Sequence, residues 1–137
     1  MSLDRFLNAQ KKSYNTALEE IKSGRKRSHW MWYIFPQITG LGFSITARFY
    51  EIKSMNEAKE YAEHPVLFPR LVEISEKLLE LPSDDATEIF GFPDNVKLKS
   101  SMTLFALVSD NPVFNKVLKK FFNGEMCEFT LNFANKK

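Results

Sequence analysis

The chain holds one cysteine, Cys127, so no disulfide can form within it and nothing in its composition calls for an oxidising compartment. Histidine is almost as scarce. With only His29 and His64, a site built from several histidines is excluded. The lone cysteine, without Cys-x-x-Cys or His-x-x-His spacing, leaves structural zinc without a ligand set. Glycine and proline number only five and six among 137 residues, below their usual combined share of roughly 12%. Long stretches are therefore free of helix breakers. Apolar runs are short as well: the longest, Trp30 to Phe35, spans six residues, where a membrane helix needs about 20. The opening residues Met1 to Phe6 lack the charged and then apolar regions of a secretory signal. A soluble, cytoplasmic protein with no membrane anchor is the expectation.

Cofactor fingerprints are missing too. Gly40-Leu41-Gly42-Phe43-Ser44-Ile45 begins like a dinucleotide-binding turn, but Ile45 stands where the third glycine belongs and no strand precedes it. There is no P-loop and no Gly-x-Ser-x-Gly elbow. Glu125 and Glu128 stand near Cys127, an acidic setting that disfavours a nucleophile. No cofactor and no metal are expected.

What remains is ordinary globular material: 44% hydrophobic and 26% charged residues, rich in Leu, Lys, Glu and Phe, enough to build one core and too apolar for a disordered chain. The helical period is plain. Leu3, Phe6, Leu7, Tyr14, Ala17, Leu18 and Ile21 share one face of a helix that Ser2 can cap and Ser23-Gly24 can close. Gln10 sits on that apolar stripe as its single anomaly. Ser44 caps a short helix through Tyr50, with Ile45, Phe49 and Ile52 predicted inward. Ser54 and Glu57 form a capping box, and His64-Pro65 separates its helix from the next, with Pro65 predicted in that helix's first turn. There Leu67, Leu71, Ile74, Leu78 and Leu81 make the stripe. Ser83-Asp84-Asp85 and Gly91 bracket another short helix, Asp94 can cap one from about Asn95 to Ser109, and Phe114, Val117, Leu118, Phe121 and Phe122 mark one that Gly124 stops. Residues 127–134 add up to two turns. Only residues 38–46 make a weak case for a strand. The prediction is an all-α single domain over residues 1–137, a bundle of six to eight helices.

Charge is uneven. Residues 1–53 carry nine Lys/Arg against four Asp/Glu, residues 54–88 three against nine, and residues 97–137 seven against three, for a net charge of +2. The basic flanks either steer an anionic ligand or are simply solvated helix faces. The densest local chemistry is Arg25-Lys26-Arg27-Ser28-His29-Trp30. Arg grips phosphate with two parallel bonds, Lys is a mobile point charge, Trp stacks on a ring, and His29 can serve as a general base. The plainer reading is a helix C-terminus whose cations offset the helix dipole, followed by a core-forming aromatic run that includes Trp30, Trp32 and Phe35. His64, before a proline, reads as a turn residue bonded to a nearby carbonyl. Further along, Lys97, Ser100, Ser101 and Thr103 place polar groups on an apolar helix, and such groups need partners. Gln10, His29, Gln37, Lys97, Ser101 and Thr103 would together line a polar pocket, or would be scattered buried hydrogen bonds.

These stretches also occur as a set. Arg5-Phe6 with Ala9-Gln10, the run Gly24 to Gln37, Gly40-Leu41-Gly42 and Ser44, His64-Pro65-Val66-Leu67, Ile89-Phe90-Gly91, Asp94, Lys97-Leu98 and Ser100 to Phe105 resemble domain-of-unknown-function family 1810. This is a widespread, mostly bacterial group of small helical proteins, some labelled calpastatin-like. The resemblance spans nearly the whole chain and implies an all-helical single domain, with no established activity. Two positions depart from the family pattern: Cys127 stands where an aspartate is expected, and Phe68-Pro69 where a glycine usually follows Pro65-Val66-Leu67. The first places any role for a C-terminal acid in doubt.

Three functional readings follow. The first is a pocket for a phosphate-bearing or nucleotide-like small molecule, with Arg25, Lys26, Arg27 and Lys97 holding charge, Trp30 stacking, and Gln10, Gln37 and Ser101 orienting. A hydrolytic version adds His29 as catalytic base. The alternative is a protein–protein interaction module without catalysis, which an apolar surface patch would favour. Nucleic-acid binding through residues 22–30 comes last, because the acidic middle opposes it and no recognition-helix pattern is present. Oligomeric state is not encoded in any motif.

Overall fold

Apolar residues at three- and four-residue intervals meet on one side only when the chain winds as a helix, and the first stripe does so as α1, Asp4–Lys22. The computed structural model describes residues 3–136, so the Ser2 cap lies outside the described residues. Phe6, Tyr14, Ala17 and Ile21 are buried along α1. Gln10 is buried with them and is fully used. Its Nε2 donates to the Tyr33 carbonyl at 2.8 Å and the Tyr61 hydroxyl at 3.2 Å, and its Oε1 accepts from Arg70 at 3.3 Å. At the far end the Gly24 N–H closes the last turn onto the Ile21 carbonyl from a left-handed conformation, φ +86°.

Eight further helices follow among the described residues: α2 (Met31–Ile34), α3 (Ile45–Tyr50), α4 (Met55–Glu63), α5 (Leu67–Glu80), α6 (Ala86–Phe90), α7 (Asp94–Val108), α8 (Val113–Phe122) and α9 (Glu128–Asn135). The total of nine exceeds the predicted six to eight, because Trp30-Met31-Trp32-Tyr33-Ile34, which has no helical period, still closes one turn at α2. Helix α7 is the axis. Leu98 and every residue from Ser100 to Phe105 are buried, so its middle turns are covered on all sides, and α4, α6, α8 and α9 pack around it. Helix α5 lies against α1, α4 and α8, while α2 bridges α1 and α3. The core is largely aromatic: Phe6 meets Tyr61 edge-on at 5.2 Å, Tyr61 meets Phe105 at 5.2 Å, and Trp30, Phe35 and Phe90 form a triad at 5.9–6.4 Å. Each such side chain contributes about 1.5–3 kcal/mol by leaving water.

Several local expectations are altered. Ile45 and Phe49, predicted inward, are 89% and 56% exposed, and Ala47 is the buried residue of α3. Ile45, Phe49 and Ile52 would share an inward face only if the helix ran through residue 52. Instead it ends at Tyr50, and the chain extends so that the Ile52 N–H donates to the Gln37 carbonyl and the Thr39 N–H to the Ile52 carbonyl, both at 2.8 Å. This parallel Ile38–Ile52 bridge is all that remains of the expected strand. Ser54 accepts from the Glu57 N–H as a capping box requires, but Glu57 returns its bond to the Lys53 N–H at 2.7 Å and pairs with Arg5 at 3.1 Å. His64 does not bond a carbonyl: its Nδ1 accepts the Val66 and Leu67 N–H groups at 3.1 Å and so caps α5, which Pro65 precedes rather than enters. Asp94 does not cap α7. It is the first residue of that helix, and its carboxylate points to lysines.

Candidate ligand cleft

The site begins with a carboxylate that organises the basic loop. Glu20, in the last turns of α1 and 9% exposed, accepts from the Arg27 N–H at 2.7 Å, the Ser28 N–H at 3.0 Å, the Ser28 hydroxyl and the Trp30 indole at 2.9 Å. Burial by itself would raise the pKa of this acid. Four donors to its charged form outweigh burial and hold it at about 2. The Lys26 N–H fastens the same loop to α6 through the Ile89 carbonyl, 2.7 Å away. Held at both points, the loop directs Lys26 toward the start of α7.

There Lys26 and Lys97 converge on one carboxylate: Lys26 Nζ lies 2.9 Å from Asp94 Oδ2, and Lys97 Nζ lies 3.1 Å from Oδ1. Burial would raise the Asp94 pKa, but hydrogen bonds from the two lysines and their charges prevail and hold it below the usual carboxylate value. Two cations against one anion leave an excess positive charge. Lys97 also stands over the face of Trp32, 4.1 Å from the ring centre. The benzo end of Trp32 lies against Gly42, where an added Cβ would lie 2.5 Å from its Cη2.

Around these groups runs a cleft with two adjoining compartments. The cationic one, about 350 Å³, is lined by Lys26, His29, Trp32, Thr46, Asp94 and Lys97, with Met31 and Ser44 completing its wall. The other, about 360 Å³, is walled by Trp32, Leu41, Phe43, Pro93 and Val96 and reaches Gln37, Ser100 and Cys127. Trp32, Ser44 and Lys97 belong to both. Such volumes suit a small molecule. Gln37 is 2% exposed, and its Nε2 has no hydrogen-bond partner. Ser101, one turn along α7 from Lys97, likewise keeps a buried hydroxyl without a partner. Ser100 pairs with Thr130 at 3.0 Å, and Thr103 donates to the Lys99 carbonyl while accepting the Cys127 N–H at 2.9 Å.

The fold thus gathers Lys26, His29, Gln37 and Lys97 at one cleft, whose lining does not include Ser101. It separates the others. The Trp30 ring lies in the core, 1% exposed, with its indole on Glu20. Gln10 serves the α1–α5 network, and Arg25 and Arg27 are exposed on the loop outside the lining. His29 lies exposed at the mouth, with no hydrogen bond to another described residue orienting its ring. Two cleft residues escaped the sequence reading: Asp94 was a helix cap and Trp32 a core aromatic. The one signal for Asp94 was its isolation, the only acid between an acidic segment and a basic one.

With this geometry in view, comparison with known proteins decides the family. A match to the family described as protein of unknown function (DUF1810) runs over residues 1–134. The chain belongs to that family. It is also similar to the conserved hypothetical protein Rv1873 from Mycobacterium tuberculosis, known from a crystal structure at 1.38 Å. The two are 43% identical, the likeness covers 97% of this chain and 96% of the other, and the TM-score is 0.95. No curated protein matches. For this DUF1810 member, function has to be argued from the cleft.

Proposed function

We propose that the cleft binds a phosphate-bearing, nucleotide-like small molecule. The observation that carries this reading is the convergence of Lys26 and Lys97 beside the half-buried Trp32 ring. An arriving phosphate competes with Asp94 for ammonium donors and adds charge where the field is positive. The aromatic wall supplies a stacking surface for whatever ring the phosphate carries. In this arrangement Trp32, rather than Trp30, is the stacking residue. A hydrolytic version uses His29, which faces the same compartment. Its imidazole takes a proton from the water that attacks an N-glycosidic or phosphoester bond, and the leaving group departs with the bonding electron pair.

A thermal-shift panel of nucleotides, ADP-ribose, NAD and sugar phosphates tests the reading. A ligand at about 100 times its dissociation constant adds roughly 2.7 kcal/mol, enough to raise the midpoint by several degrees. Lys97→Ala is expected to cancel the rise, whereas Arg25→Ala, outside the lining, leaves it. If every phosphate compound fails on the folded protein, the reading is wrong. His29→Ala separates binding from turnover: the shift stays and any hydrolysis stops.

A second reading, an interaction module without catalysis, has its own observation. Phe43 (77% exposed), Ile45 and Phe92 (79%) stand out at or near the cleft mouth, with Val96 in its wall. Sedimentation of the purified chain tests its simplest form, self-association. Oligomers that Phe43→Ser and Phe92→Ser dissolve support it, and a monomer at high concentration counts against it.

A further inference from the structure

The two compartments differ in chemistry, and the apolar one holds a buried donor with nothing to bond. Gln37 is fixed from its backbone outward: its carbonyl accepts the Ile52 N–H in the Ile38–Ile52 bridge, and Pro36 and Ile38 on either side are buried. Its side-chain Nε2 is buried without a partner, and the residue lines a compartment whose apolar wall is Trp32, Leu41, Phe43, Pro93 and Val96, with Ser44, Lys97 and Ser100 at its polar margin. A buried N–H without an acceptor is destabilising, and a ligand that brings the acceptor removes that penalty on binding. Apolar walls with a few placed polar groups are how small-molecule sites select one ring from others of equal size.

We infer that this compartment receives a planar ring with a hydrogen-bond acceptor on its edge, a nucleobase or a ring carboxamide, which Gln37 Nε2 recognises while Lys26 and Lys97 hold the attached phosphate. The inference rests on the cleft being an anion site and adds the identity of the group joined to the anion. Lys97 and Trp32 border both compartments, so a ligand of this shape needs only a short linker between phosphate and ring, such as a pentose.

Cys127, the single thiol of the chain, lines the ring compartment and reports on its occupancy. The test follows the rate of Cys127 alkylation by iodoacetamide, alongside thermal shifts, with four probes: inosine monophosphate, nicotinamide mononucleotide, phenyl phosphate and ribose 5-phosphate. Inosine monophosphate represents the nucleobase and nicotinamide mononucleotide the carboxamide, and protection by one or both is expected. Ribose 5-phosphate should shift the midpoint without protecting the thiol, and phenyl phosphate should bind at least tenfold more weakly than the better nucleotide. Gln37→Leu should weaken that nucleotide about tenfold and leave phenyl phosphate unchanged. Comparison of the probes on the unaltered protein keeps the test decisive if the variant does not fold. Equal affinity for all four, or phosphate binding with no thiol protection, overturns the ring assignment and leaves the anion site standing. No binding by any probe overturns both.

Discussion

At the level of single residues, Glu20 has the most consequences. Its carboxylate gathers two backbone N–H groups, a hydroxyl and an indole, so removing it strands several buried donors at once. Glu20→Ala is expected to destabilise the protein by about 3 kcal/mol, measured by urea unfolding, and to weaken phosphate binding by releasing the loop that carries Lys26. The same group sets an acid limit. Its pKa falls from 4.5 in an unfolded chain to about 2 in the folded one, so the folded state holds fewer protons between those values. The stabilisation is present above pH 4.5 and is lost as pH falls toward 2. A Glu20→Gln variant should lack this part of the acid transition while keeping one acceptor oxygen.

Helices and loops show what the sequence could and could not convey. The stripes of α1, α5 and α8 are visible as intervals of three and four, because each buries one face and exposes the other. The middle turns of α7 are buried all round, so its polar residues, not its period, mark it; Thr130 pairs with Ser100, and Thr103, besides donating to the Lys99 carbonyl, accepts the Cys127 N–H. The cleft was half legible: Lys26, His29, Gln37 and Lys97 stood out as polar groups in apolar surroundings. Trp30 and Trp32 carry the same side chain two positions apart, and only the single turn of α2 decides which one faces the core. Asp94 read as a cap because an acid at a helix start usually is one. The loop 39–44 carries its own prediction. Gly42→Ala would place a methyl 2.5 Å from Trp32 and 2.7 Å from the Ala47 Cβ, and overpacking of this kind costs typically 1–3 kcal/mol. The variant should fold with a lower midpoint, and its displaced ring should weaken nucleotide binding more than ribose 5-phosphate binding. Gly24→Ala meets no neighbour within 4 Å but must hold φ +86°, for a smaller loss of about 1 kcal/mol.

For the molecule as a whole, one buried cluster runs from Phe6 on α1 to Leu118 on α8. A single cooperative unfolding transition is therefore expected, with far-ultraviolet circular dichroism and tryptophan fluorescence superimposing in urea. Separate transitions would show that the chain divides into more than one folding unit. Among the described residues no helix is long and apolar enough to cross a membrane, and no group of three His, Cys, Asp or Glu residues is placed to hold a metal ion. On the proposed reading, in which Lys26 and Lys97 near the surface draw an anion into the cleft, affinity for phosphate compounds should fall as salt rises and the Debye length shrinks from about 10 Å at 0.1 M to about 3 Å at 1 M. Isothermal titration at the two salt concentrations measures the change, and an affinity indifferent to salt would remove the lysines from the account.

The wall of the ring compartment joins residue 32 to residue 127, and α9 closes over α7 through Thr130 and Ser100. Synthesis runs in the other direction. A nascent chain released up to the end of α7 already carries Lys26, Trp32, Asp94 and Lys97, yet has no wall at position 127 and no partner for the Ser100 hydroxyl. The candidate cleft lacks part of its wall until residue 127 has emerged, so a ligand of the proposed kind, which needs both compartments, would select chains grown past α9 over shorter ones.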